Sequence, residues 1–319
     1  MHSCAVLAEH SPILAAEQLR GAQARLHKEG NRAVTNHIQE LEAIARELRC
    51  LALQAIHKAG SGHAGGSLSA ADLITALYFS VLNIDPQRPD WPDRDRMVLS
   101  KGHGAPILYA ALAKRGYFPV EELWTLRKLG SRLQGHPDMR KTPGIDATTG
   151  SLGQGISVAV GMALGAKVQH KDHRVYAITG CGEQQEGQVW EAAMCAAHYC
   201  LDNLIGIVDY NTLQIDGCNA EIMQIAPLAD KWRAFGWRVM EIDGHDMAQI
   251  LDALTEARNT LGKPSAIIAH TIKGKGVSFM ENQVKWHSSI VTKEFYDQAM
   301  VELGREVPCG SAGAGGSHV

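Results

Sequence analysis

Residues 180–211 carry the types and spacing needed to bind a diphosphate and a cation. Gly180-Cys181-Gly182-Glu183 follows an apolar run at 175–179, and a second apolar run at 204–208 leads into Asp209-Tyr210-Asn211. The order reads as strand, glycine turn, helix, strand and amide oxygen. Glycines let backbone N–H groups approach phosphate oxygens, and the following helix turns its positive end towards the anion. A side chain in the turn and the Asn211 amide can then hold a cation between them. A lone Gly-x-Gly marks little more than a tight turn. Its continuation to Asn211 makes the pattern specific.

Four histidines lie in loops of unusual composition: His63 in Ser61-Gly62-His63-Ala64-Gly65-Gly66, His103 in Lys101-Gly102-His103-Gly104, His136 in Gln134-Gly135-His136-Pro137, and His287 in Lys285-Trp286-His287-Ser288. Among 15 histidines, any single one is more often a surface or structural residue. Four in such loops form a set suited to moving protons on and off hydroxyl groups near neutral pH.

The elements that must position these residues follow from periodicity. Ile38, Leu41, Ile44, Leu48, Leu51 and Ala55 recur three or four apart and stop at Gly60, which predicts an amphipathic helix with a basic last turn. Residues 1–35 read as a partly helical arm, and 61–66 as a glycine-rich loop before a helix at about 70–82. Strands are expected at 97–100, 175–179, 204–208, 238–242 and 265–270, separated by helices that include 187–200, 227–235 and 246–261. Apolar strands alternating with helices predict an α/β fold, a parallel sheet covered on both faces, with ligands at the carboxyl ends of its strands. The expected organisation is an arm at 1–35, a folded domain at 36–305 and a disordered Gly/Ser/Ala-rich tail at 306–319.

Composition narrows the function. A formal net charge of −3 over 319 residues provides no field for nucleic acid or an anionic membrane. The 7 cysteines form no CxxC pair and read as reduced thiols of a cytoplasmic protein, with Cys195 and Cys200 as small core residues. No signal peptide is evident, and the apolar stretch at 156–168 is too short to cross a bilayer.

Taken with Thr148-Thr149-Gly150-Ser151-Leu152-Gly153-Gln154-Gly155 and Gln214-Ile215-Asp216-Gly217, these motifs stand in the order found in the N-terminal half of transketolase, which the chain resembles over roughly residues 40–290. The resemblance implies a thiamine diphosphate-binding domain of the diphosphate-binding (PP) type. His103 and His287 then contact the diphosphate and face the substrate. His63 takes part in proton transfer at substrate hydroxyls, and His136 holds the terminal hydroxyl of a ketose donor. Gly150, Leu152, Gly182 and Glu183 border the cofactor. Asn211 gives a side-chain oxygen, and Leu213 a backbone oxygen, to Mg²⁺ or another divalent cation. Glu186 matches a glutamate that links paired sites, although an acid there is also stabilised by the helix dipole alone. Ile215 matches a residue beneath the cofactor's thiazolium, with plain core packing as the alternative. Lys273 and Lys275 form either a cover over the phosphates or a solvated loop.

A single-chain transketolase is about twice as long and adds a pyrimidine-binding and a C-terminal domain. The resemblance therefore implies the diphosphate-binding subunit of a split enzyme, with a separate partner and an α2β2 assembly. Its activity would be transfer of a two-carbon ketol unit from a ketose or ketose phosphate to an aldehyde or a specialised non-sugar acceptor. Two alternatives stay open: an E1 α-type subunit of a 2-oxoacid dehydrogenase, and a non-catalytic partner subunit. The second arises because Cys181 replaces the family's metal-ligating Asp. With the thiol there, a cation is held more weakly through Asn211, Leu213, phosphate oxygens and water, or Glu183 swings in, or a soft metal is captured, or catalysis is lost. Ala64 and Ser288-Ser289-Ile290 also depart from the family pattern and border the substrate channel.

Overall fold

The computed structural model describes residues 12–305, and side chains from residue 34 onward. Five strands, β1 (Arg96–Leu99), β2 (Val175–Gly180), β3 (Leu204–Tyr210), β4 (Arg238–Asp243) and β5 (Ser265–His270), form one sheet in the order β1-β2-β3-β5-β4. Every pairing is parallel, as the uninterrupted apolar runs predict. Side chains alternate between two cores. Tyr176, Ile178, Ile205, Ile207 and Ile267 enter one, while Val175, Ala177, Leu204, Val208 and Ile268 enter the other.

Among the described residues ten helices surround the sheet: α1 (Pro12–Ala59), α2 (Ala64–Ser69), α3 (Ala71–Ala76), α4 (Ala105–Arg115), α5 (Gln154–Val168), α6 (Gly187–His198), α7 (Asn219–Ile222), α8 (Leu228–Ala234), α9 (Met247–Asn259) and α10 (Lys293–Glu302). Residues of α1, α3, α4 and α9 cover one face, and those of α5, α6 and α8 the other. Each fully buried Leu, Ile or Val in these layers contributes about 1.5–3 kcal/mol relative to exposure. Among the described residues no helix is long and apolar enough to cross a membrane.

Three expectations change. The helix predicted from Ile38 begins at Pro12 and takes in the described part of the arm, because Ala, Gln, Leu and Glu sustain helix through Gly21 and Gly30. The loop at 61–66 gives way to α2 at Ala64, packed so closely that a Cβ on Gly65 would lie 3.0 Å from Lys273 and from the Trp286 carbonyl. Cys200 lies beyond the end of α6 and is exposed, not a core residue, and Cys195 is only half-buried. The tail at 306–319 and residues 1–11 of the arm fall outside the described residues.

The connections leaving β1, β2, β3 and β5 carry Lys101 and His103, Cys181 and Gly182, Asn211 and Leu213, and Lys273 respectively. They therefore converge at the carboxyl ends of the strands. The order reverses here, since β4 lies outside β5 and β5 returns beside β3.

Candidate active site

At that edge lies a cleft of about 390 Å³. Gly180, Gly182 and Gly66 expose backbone along it, with Gly150 and Leu152 at one side. Close packing requires glycine here. A Cβ on Gly102 would meet Gly150 N at 2.8 Å, and one on Gly155 would meet Ser100 Oγ at 2.5 Å.

Three imidazoles, from segments far apart in sequence, meet above this floor. The ring of His63 lies 5.2 Å from that of His103 and 5.3 Å from that of His287, and the last two are 5.3 Å apart. Burial, reinforced by neighbouring cations, depresses all three: His63 to about 4, His287 to about 3 and His103 to about 2. They are neutral at physiological pH. Burial and the Lys101 charge also lower Lys273, to about 8, which still leaves it an ammonium at neutral pH. Lys273 Nζ donates to His287 Nδ1 at 2.8 Å, which leaves the His287 proton on Nε2. His63 Nδ1 is buried without a hydrogen-bond partner. His136 stands at the exposed rim, its ring against Gly150 and its carbonyl accepting from Tyr109. Burial and the Arg127 charge hold its pKa below the usual range.

Under the imidazoles lies a polar floor. The Asp209 carboxylate, wholly buried, accepts from Lys101 Nζ, Ser69 Oγ, Thr271 Oγ1 and Asn211 Nδ2. Burial acts to raise its pKa, but the Lys101 ammonium and these hydrogen bonds outweigh it and keep the carboxyl ionised. Glu183 is also buried. It accepts from Ser100 Oγ, from Gly153 N at 2.8 Å and from Gly180 N at 2.9 Å, so it braces the turn that begins at Gly180. Swinging it towards a cation would strip three donors of their acceptor, which removes that alternative.

The expected cation position is altered further. Cys181 is buried, and burial followed by the Asp209 charge raises its pKa, so it is a neutral thiol. Its Sγ lies 3.7 Å from Asn211 Oδ1, which also accepts from Leu213 N at 3.2 Å. Leu213 O accepts from Lys273 Nζ at 3.1 Å. A neutral sulfur, one amide oxygen and a carbonyl already engaged by an ammonium do not fit a hard divalent ion. Among the described residues no group of three or more His, Cys, Asp or Glu side chains is arranged to hold a metal.

The remaining expected residues also border this cleft. Ile215 is 59 % exposed, which overturns core packing as its role. Glu186 is exposed at the N-cap of α6, without a side-chain cap bond, and lies over Gly153. Lys273 is buried in the floor, neither a cover nor a solvated loop, whereas Lys275 is half-buried and lies 3.9 Å from Glu281. Lys101 and Asp209 were within reach of sequence reasoning, which passed over their roles. A lysine in the turn after one apolar strand and an aspartate at the end of another in one parallel sheet already place both at the ligand edge.

Residues 41–308 match the family described as "Transketolase, thiamine diphosphate binding domain". The fold and cleft are accordingly those of a thiamine diphosphate-binding domain, and the chain belongs to the transketolase family. It is 53 % identical over 267 residues to SqwG, the 6-deoxy-6-sulfo-D-fructose transketolase subunit of Clostridium sp. (strain MSTE9), a match spanning 84 % of this chain and 97 % of that protein. It is 42 % identical over 270 residues to one subunit of the apulose-4-phosphate transketolase of Phocaeicola vulgatus, spanning 85 % and 96 %. Among solved structures, transketolase from Leishmania mexicana superposes with a TM-score of 0.79 at 36 % identity, covering 83 % of this chain and 41 % of that one. These findings make the chain a transketolase-type transferase that corresponds to the diphosphate-binding subunit of a two-subunit enzyme. They favour that reading over the E1 α-type and non-catalytic alternatives.

Proposed function

We propose that this chain anchors thiamine diphosphate by its diphosphate and performs the proton transfers of two-carbon ketol transfer, with a partner subunit supplying the pyrimidine-binding domain. The observation that carries the proposal is the convergence of three neutral imidazoles within 5.3 Å of one another over a glycine-lined floor. Thiamine diphosphate, when bound, supplies the carbanion that takes up the ketol unit. Every other demand falls on protein groups. The backbone at Gly180 and Gly182 and the Lys273 ammonium receive the diphosphate. His63, which lines the cleft, accepts a proton from a donor hydroxyl as the carbon–carbon bond breaks and returns it to the acceptor's oxygen. His287 offers Nε2–H to the same oxygens, and its orientation is fixed by Lys273. His103 closes the group, and His136 at the rim meets the donor's far hydroxyl. A neutral imidazole suits the first step, since only the unprotonated ring can take a proton.

The SqwG relative is named for a sulfonated ketose and the apulose relatives for a ketose phosphate. This supports a donor ketose with an anionic far end. Two such pairs assemble as α2β2 in a cytoplasmic setting, with 36–305 as the folded unit. Val158 on α5 and Met194 on α6 are exposed, and the exposed Glu186 opens α6, which supports pairing of two sites through these helices. The test is ketol transfer by the coexpressed two-subunit enzyme from 6-deoxy-6-sulfofructose, fructose 6-phosphate and fructose. The anionic donors are expected to exceed fructose in kcat/KM, and His287→Ala to lower turnover by about 100-fold or more. Equal use of all three donors would overturn the donor assignment, and intact turnover in His287→Ala would overturn the site.

A further inference from the structure

The floor of the cleft lacks the carboxylate of a divalent-cation site and carries a buried cation of its own. At position 181 a carboxylate gives way to a buried neutral thiol, which removes one negative charge. Beside it stands the Lys273 ammonium, 2 % exposed, whose hydrogen-bond partners Leu213 O and His287 Nδ1 are both uncharged. The other buried lysine, Lys101, is already neutralised by Asp209. Lys273 therefore presents an uncompensated positive charge to the cleft. A divalent ion offset by one carboxylate leaves a single net positive charge for the diphosphate. An ammonium beside a neutral thiol leaves the same. The geometry agrees with the charge count, because an ammonium has three N–H donors. One is taken by Leu213 O and one by His287 Nδ1, so the third remains for a phosphate oxygen in the cleft.

We propose that in this protein Lys273 replaces the divalent cation, so that the diphosphate of thiamine diphosphate is held by the Lys273 ammonium, which Leu213 O positions, with Cys181 as a neutral thiol and no divalent metal. Leu213 O then binds an ammonium where a metal would have been. Cys181 packs against Asn211 without acting as a ligand.

This rests on the cofactor site described above, and the experiment separates the two. The coexpressed two-subunit protein is stripped with a chelator. Thiamine diphosphate is then titrated calorimetrically in excess chelator and in excess Mg²⁺, and the loaded complex is assayed for metals. The expected result is affinities within about threefold of each other and well under one equivalent of any divalent ion. Lys273→Met is expected to weaken cofactor binding by about 10–100-fold in chelator, the range for a lost hydrogen bond to a charged group. Cys181→Asp, which does not depend on Lys273→Met folding, is expected to make affinity rise about tenfold or more with Mg²⁺. A wild-type requirement for Mg²⁺ greater than about tenfold, or a stoichiometric divalent metal of any kind, soft ions on the thiol included, would overturn the proposal. Absence of thiamine diphosphate binding under both conditions would overturn it together with the cofactor-site assignment.

Discussion

His63, His103 and His287 owe their character to burial more than to any partner. Desolvation penalises the imidazolium, and the nearby Lys101 and Lys273 charges add to the penalty. Each ring binds its proton more weakly in the folded chain than at the ordinary value of 6.5. Between that value and the folded one, the unfolded chain holds more protons. The stability linked to these rings is thus fully present above pH 6.5 and is lost as the pH falls through their folded values, about 4 for His63, about 3 for His287 and about 2 for His103. Two measurements check this. The imidazole C2-proton resonances of His103 and His287 are expected to stay at their neutral positions down to about pH 5, while exposed histidines titrate normally. Thermal unfolding midpoints of the full chain are expected to drop over the same interval, and more gently in His103→Asn. A midpoint near the ordinary imidazole value for either ring would contradict this reading.

The loop after β5, which delivers Lys273, is held by a relay that runs from a buried ion pair through a histidine. Arg49 of α1 pairs with Asp72 of α3 at 2.6 Å, and Asp72 Oδ2 lies 2.7 Å from His245 Nδ1 in the turn after β4. His245 Nε2 lies 2.8 Å from the backbone N of Ile272, beside Lys273. Because that N–H must donate, Nε2 is the acceptor and Nδ1 carries the proton given to Asp72. Asp72→Asn leaves Arg49 buried without a counter-ion, at an expected cost of about 3–5 kcal/mol in denaturant unfolding. It also frees the loop, so cofactor affinity is expected to fall even where folding survives. Unchanged stability would show that the relay contributes nothing. Contacts of this kind are hidden from the sequence. The five strands and most helices are legible because apolar runs and period-3.6 patterns are local, and the glycine turns announce the ligand edge. The Lys101–Asp209 pair joins residues 108 apart, and nothing local to either one names the other. Glu183 reads as free to swing for the same reason, since two of its donors come from Ser100 and Gly153.

At the scale of the molecule, one layered sheet brings four strand ends to a single edge, and nearly all the chemistry of this chain is concentrated there. In the proposed function the protein is a diphosphate anchor and proton-transfer surface, and activation of the cofactor's pyrimidine falls to a second polypeptide. His136 and Ile215 line the cleft and are both exposed. The most direct test is the rate of two-carbon transfer by the purified chain, assayed by itself and again after its partner is added, with thiamine diphosphate saturating in both. No transfer above background is expected from the chain by itself, and full turnover on addition of the partner. Appreciable turnover by the unaccompanied chain, or none from the reconstituted pair, would contradict the division of labour proposed for it.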